Sequence, residues 1–173
     1  MSAAGAVADM AAIVFTDLVG FTAYTDAHGD RAAVDVLDRQ SSIVSDELFG
    51  QGRIVKELGD GLMLWFGDGP VGLAVACSVL ASVSAARDRD EFPLAVRMGM
   101  HVGDVIGRGD DFVGQTVNIA SRVADLAGPG ELLVTEQVVR SLDENERTAV
   151  FQPVGPTRVK GVGAPIWLHR LAT

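Results

Sequence analysis

Residues 53–66 read RIVKELGDGLMLWF. Two apolar runs, about 53–58 and 61–66, flank Gly59-Asp60-Gly61, and a tight turn at that triplet predicts a β-hairpin. Helical patterns bracket the hairpin. Upstream, Ala33, Val36, Leu37, Gln40, Val44 and Leu48 recur at helical spacing, which predicts a helix from about Gly29 to Phe49 with Gly50 and Gly52 as its stop. Downstream, Pro70 opens a helix whose predicted apolar stripe is Val71, Ala74, Val75, Ser78, Val79, Ser82 and Val83. Outside the helices lie AAIVFT at 11–16, a buried strand ending at Asp17, and LAVRMGMHVGDVIG at 94–107, a long strand with partial alternation.

The rest of the chain continues the alternation. A turn-rich patch at Arg108–Asp111 leads to a helix from about Gly114 to Ala127, closed by Gly128-Pro129-Gly130. A short strand follows at 131–135, a short helical piece at 138–142, and two more strands at about 148–154 and 166–171. The order is β-α-β-β-α-β-α-β-(α)-β-β. It predicts an α/β (α+β) domain with a ferredoxin-like βαββαβ core, a mixed but mostly antiparallel sheet, and extra C-terminal strands. No linker divides it.

Composition narrows the function classes. The 173 residues carry 14 basic and 23 acidic side chains, a net charge of −9. That balance excludes a nucleic-acid polymer or an anionic membrane as the expected partner, since both need clustered Lys and Arg. A polyanion remains accessible if divalent cations mediate. Cys77 is the single cysteine, so no disulfide forms within the chain, and MSAAGAVADM lacks the basic start of a secretion signal. The longest apolar stretch, GLAVACSVLASV, falls short of the ~20 residues a membrane span needs. A cytoplasmic domain without a membrane segment is expected.

Three features carry chemistry. Asp17 ends a strand and is followed by Leu18-Val19-Gly20-Phe21-Thr22; a carboxylate there suits Mg²⁺, and Gly20 lets backbone N–H groups approach phosphate oxygens. Asp60 sits at the hairpin tip, and two carboxylates on neighbouring strand ends can hold two divalent ions against one triphosphate. Asn118 and Arg122, four apart on one helix, share a face that could hold a ribose and stabilise a charged phosphate. Each residue alone also has an ordinary reading, as a helix cap, a turn residue or a solvated helix face.

Together, FTDLVGFT at 15–22, KELGDGLM at 56–63 and DFVGQTVNIASRV at 111–123 resemble the class III nucleotidyl cyclase catalytic domain, in the compact bacterial subclass. LAVRMGMHVGDV at 94–105 and RVKGVGAPIWLHRL at 158–171 also match family segments. The resemblance implies an adenylate cyclase, a homodimeric lyase that converts ATP to 3′,5′-cyclic AMP and pyrophosphate with two Mg²⁺ or Mn²⁺ ions. Residues 1–10 are then a short extension and 11–173 the catalytic domain. Asp17, Asp60 and the Leu18 carbonyl match the metal ligands. Gly20, Phe21 and Thr22 match the triphosphate loop, and Arg97 and Lys160 resemble its cations. Lys56 and Asp111 match the pair that reads adenine. Asn118 matches the residue that orients the ribose, and Arg122 the one that stabilises the transition state. Position 110 is Asp where the family often has an aromatic; the spacing to Gly114 assigns base reading to Asp111.

By the same resemblance the dimer is head-to-tail with shared sites. Asp17 and Asp60 of one protomer meet Lys56, Asp111, Asn118 and Arg122 of its partner. Base choice has a physical basis as well: Asp111 accepts and Lys56 donates, which complements adenine and mismatches guanine, at ~1–3 kcal/mol per unsatisfied group. Two rivals remain. One is a catalytically silent cyclase fold used for dimerisation or nucleotide sensing. The other is an aspartate-nucleophile phosphatase, which needs an acid where this chain has Val19.

Overall fold

The computed structural model describes residues 8–146 and 151–172. Strand β1 (Ala8–Leu18) starts earlier than the 11–16 run, so Ala8–Met10 belong to the sheet and not to an extension. Residues 1–7 of that expected extension lie outside the described residues. The helix expected from about Gly29 to Phe49 forms as α2 (Asp30–Leu48), but an unexpected helix, α1 (Phe21–His28), precedes it, set off by Gly29, whose φ of 84° suits only glycine. The sequence hid α1 because it buries no residue fully and so shows no apolar stripe.

The hairpin forms as predicted, β2 (Arg53–Leu58) against β3 (Gly61–Phe66). Helix α3 (Gly69–Asp88) follows, its N-terminus capped by Asp68, whose carboxylate accepts from the Val71 N–H at 2.9 Å. Its buried face is rotated from the expected stripe. Gly72, Leu73, Val75, Ala76, Val79, Leu80, Val83 and Ala86 are buried, whereas Ala74 and Ser78 are exposed. Apolar residues surround this helix, so periodicity cannot choose its inner side. By length and composition α3 could also cross a membrane, though half of it is buried within the fold.

Strand β4 (Val96–Arg108) turns at Gly109-Asp110 into β5 (Asp111–Val113), so the expected turn-rich patch is the tip of a second hairpin. Then come α4 (Gln115–Leu126), β6 (Leu132–Thr135), α5 (Glu136–Ser141), β7 (Phe151–Thr157) and β8 (Ile166–Leu171). The penultimate strand was expected at 148–154; residues 147–150 lie outside the described residues. The eight strands make one sheet, ordered β2-β3-β1-β4-β6-β8-β7, with β5 on β4. The first four in sequence give the order of a split βαβ core, antiparallel throughout, and β4–β6 is the one parallel pair among the described residues. The expected mixed, mostly antiparallel sheet is the observed one.

Side chains alternate across this sheet. Ala12, Val14, Leu64, Phe66, Met98 and Met100 point to one face and pack beneath α2, α3 and α5. Ile13, Phe15 and Met63 point to the other, where α4 brings Ala120 and Ala124. Among the described helices α4 alone covers that second face, and the candidate site residues lie around it.

Candidate active site

Asp17 and Asp60 converge as the motifs imply. Thr16 stands opposite Leu62 across β1 and β3, which sets the end of β1 beside the Gly59–Gly61 turn. A Cβ on Gly61 would lie 2.5 Å from the Thr16 carbonyl oxygen, so the two backbones approach too closely for any other residue. Beneath them the fully buried Gln40 donates through Nε2 to Thr16 Oγ1 at 3.2 Å, and the Leu62 N–H donates to the same oxygen at 3.2 Å. Burial and the neighbouring Asp17 carboxylate hold the Asp60 pKa above its ordinary value. A carboxyl whose ionisation is opposed by a neighbouring carboxylate marks a site that favours a cation.

A cation already stands there. Arg97 faces Asp17 in the β1–β4 register; its Nε donates to Asp17 Oδ2 at 2.7 Å and its Nη2 lies 2.5 Å from the same oxygen. Its Nη1 donates to the Asp125 carbonyl on α4 at 3.1 Å. Arg97, expected among the triphosphate cations, is therefore held on an expected metal ligand.

Lys56 and Asp111 also meet. Lys56 Nζ donates to Asp111 Oδ2 at 2.7 Å, across 55 positions of sequence, because β5 folds back toward β2. That bond holds the Asp111 pKa below the usual carboxylate range. Both side chains are more than a third exposed, so the pair contributes at most ~1 kcal/mol and opens readily to a ligand. Asp110 stands at the hairpin tip, where its carbonyl accepts from Arg53 Nη1 at 3.0 Å. Sequence reading passed over what supports this corner. Trp65 and Phe112 stack with ring centroids 5.4 Å apart, and Arg53 lies over the Phe112 ring at 5.1 Å. Trp65 lies on β3 and Phe112 on β5, strands that do not pair with each other, so no local pattern in the sequence joins them.

Helix α4 buries Thr116, Ile119, Ala120, Val123 and Ala124 and leaves Asn118 and Arg122 exposed on its other side. Arg122 Nη1 lies 3.5 Å from Asp125 Oδ2. Among the described residues neither Asn118 nor Arg122 bonds to Asp17, Asp60, Lys56 or Asp111. Gly20 caps α1 with φ 79° and no side chain caps that helix start, so Phe21 and Thr22 open it with backbone N–H groups directed outward. Lys160 is exposed on the loop after β7. The expected residues thus form separate clusters on an open surface. Larger cavities lie elsewhere, one of about 520 Å³ beside α3 and one of about 450 Å³ between α4, α5 and β8.

Two carboxylates and a backbone carbonyl fit an ion that keeps water and substrate phosphates in its shell, as Mg²⁺ does. Among the described residues no group of three or more His, Cys, Asp or Glu side chains forms a complete protein cage.

Comparison with known proteins agrees with this geometry. The profile of the adenylate and guanylate cyclase catalytic domain matches residues 5–170. An uncharacterised protein of Mycobacterium tuberculosis is 33% identical over 160 residues, 92% of this chain and 40% of its own length. A pH-sensitive adenylate cyclase of the same species is 30% identical, with the same 92% and 40% coverage. The chain therefore spans about two-fifths of the length of these curated relatives. Among solved structures, the adenylyl cyclase CyaB of P. aeruginosa superposes with a TM-score of 0.85 at 21% identity, over 96% of this chain and 95% of that one. An adenylate/guanylate cyclase/hydrolase from Silicibacter pomeroyi superposes at 0.79 with 25% identity, over 97% and 99%. The sheet order, the paired aspartates and the profile over nearly all of its length agree: the chain belongs to the adenylate and guanylate cyclase catalytic domain family.

Proposed function

We propose that this chain is an adenylate cyclase that converts ATP to 3′,5′-cyclic AMP and pyrophosphate, working as a head-to-tail homodimer with two shared sites. One contact carries the choice of base. The Lys56 ammonium and the Asp111 carboxylate lie 2.7 Å apart, a donor and an acceptor side by side that match the N1 acceptor and N6 donor of adenine. The weak solvent-exposed pair exchanges for the base edge at little cost. Guanine presents the reverse order and leaves buried groups unpaired.

The dimer follows from the open placement of the residues. Asp17 and Asp60 stand at one end of the paired strands β1 and β3, while Asn118 and Arg122 are exposed on α4. A second copy supplies the facing half. Residues Asp17, Asp60 and the Leu18 carbonyl would hold two divalent ions, which when bound acidify the ribose 3′-hydroxyl and offset charge on the triphosphate. Backbone N–H groups of Gly20, Phe21 and Thr22 bind phosphate oxygens at the start of α1. Arg97 trades the Asp17 carboxylate for phosphate when substrate enters, and Lys160 reaches the same groups. Asn118 fixes the ribose for in-line attack, and Arg122 stabilises the charge that builds on the α-phosphate. The ATP supply and the net charge of −9 suit a cytoplasmic enzyme.

Complementation tests the reading. Asp17→Ala and Arg122→Ala proteins are each nearly inactive in a cyclic AMP assay with Mg²⁺ or Mn²⁺. Mixed in equal amounts, half of the re-sorted dimers carry one intact site of two, which restores about a quarter of wild-type activity. No recovery from dimers that demonstrably exchange refutes the shared site. Absence of cyclic AMP from the wild-type protein refutes the enzyme.

A further inference from the structure

Between the first turn of α4, helix α5 and the start of β8 lies the cavity of about 450 Å³, with His101, Gln115, Gln137 and Trp167 in its wall. His101 is the informative member. Only 6% of it is exposed, and its Nδ1 lies 2.8 Å from the Thr135 hydroxyl. Its Nε2 has no hydrogen-bond partner among the described residues. It is not sealed in either: the enclosed side-chain nitrogen without a partner among the described residues is Trp65 Nε1, on β3. Gly103 explains the opening: a Cβ at that position would stand 3.5 Å from Nε2 and 2.6 Å from Thr116 Oγ1, so glycine leaves the ring edge uncovered. A donor or acceptor on a molecule in the cavity can pair with that open ring nitrogen.

The rest of the wall selects the ligand. Trp167 is 53% exposed beside Pro165, and an exposed indole is a platform on which flat heteroaromatic rings stack. Gln115 and Gln137 each carry a donor and an acceptor, the combination that reads heteroaromatic edges. The charged groups of the wall pair with one another: Arg140 Nε donates to Glu136 at 3.0 Å, and Glu136 also meets His169 Nε2 at 2.5 Å. Burial holds the His101 pKa down to about 4, so the imidazole is neutral near pH 7. A neutral ligand therefore fits without a charge of its own to balance. The volume falls within the ~300–1,000 Å³ of small-molecule pockets.

We propose that this cavity is a second ligand site, for a neutral purine base or nucleoside stacked on Trp167 and hydrogen-bonded to His101, Gln115 and Gln137. Gln115 shares α4 with Asn118, and the Val162–Pro165 wall continues the loop that carries Lys160. An occupant therefore touches two elements of the proposed catalytic site. That consequence rests on the cyclase reading; binding itself does not.

The chain has two tryptophans, Trp65 and Trp167, so protein labelled with 5-fluorotryptophan gives two ¹⁹F resonances, assigned by Trp65→Phe. Adenosine and guanosine are titrated with the catalytic site filled by a non-cyclising ATP analogue. The expected result is a saturable shift of the Trp167 resonance by at least one nucleoside, with Trp65 unmoved. Gln115→Ala and Gln137→Ala, both surface changes, should each weaken binding roughly five- to tenfold. A shift that stays linear to about 10 mM, one confined to Trp65, or one indifferent to both glutamine substitutions overturns the proposal. The readout needs no turnover, so an inactive protein would sink the cyclase reading and leave this one standing.

Discussion

Gly99→Ala is the substitution that tests how the fold holds the candidate site. Gly99 lies in β4 between Phe15 of β1 and Leu133 of β6. A Cβ built there falls 2.1 Å from the Ala124 nitrogen, 2.6 Å from its Cα and 2.7 Å from the Val123 carbonyl carbon, all backbone atoms of α4. Ordinary contact begins at 3.4 Å, so the helix must retreat by 3.4 − 2.1 = 1.3 Å. A gap of about 1 Å forfeits roughly a quarter to a half of the contact energy of side chains that bury ~1.5–3 kcal/mol each. Spread over Ile119, Val123 and the alanines beside them, the loss is about 2–4 kcal/mol, offset by up to ~1 kcal/mol from the stiffer unfolded chain. Gly107→Ala is the control on the same strand, since its Cβ would meet only Phe112 Cε1, at 4.0 Å. The offset is common to both variants, so urea unfolding followed by circular dichroism should place Gly99→Ala about 2–4 kcal/mol below Gly107→Ala. Turnover should fall about a hundredfold, because Asn118 and Arg122 move with the helix. If the two variants unfold within about 0.5 kcal/mol of each other, α4 does not rest on the bare backbone of β4 and the reasoning fails.

Other predictions follow from single contacts. His101 has a folded pKa near 4 against 6.5 in a free chain. Between those values the unfolded chain binds a proton that the folded one does not, so stability falls from about pH 6.5 to pH 4 and levels off below, by up to about 3 kcal/mol. Urea titrations of wild type and His101→Gln over that window should diverge, and parallel curves would refute the assignment. Asp60→Asn removes repulsion with Asp17, so in metal-free buffer it should raise the melting temperature while abolishing cyclase activity; a lowered melting temperature contradicts the electrostatic account. Lys56→Glu combined with Asp111→Ala should reduce the ATP:GTP preference at least tenfold, and an unchanged ratio removes the base-reading role.

Much of this was legible in the sequence, for a local reason. Strand ends, turns and caps are set by neighbours a few residues apart, so the 53–66 hairpin and the helix at 115–126 stand where alternation, glycines and helical spacing place them. Asn118 and Arg122 share a face because they are one helical turn apart. Where local signals vanish, the reading failed. Helix α1 buries no residue fully and shows no stripe, while α3 is apolar on most sides and gives no preferred side. Gln40 sits in the apolar stripe of α2, and only the fold reveals that it bonds to Thr16 behind Asp17.

The sequence by itself determined the family motifs, the strand–helix order and the identity of the charged residues. Tertiary structure alone decided which of them touch. Arg97 lies on Asp17 across 80 positions, and Lys56 on Asp111 across 55. Such contacts depend on strand register and on the close seating of α4 against Gly99. Both are fixed by packing between distant segments, and no local pattern in the chain encodes them.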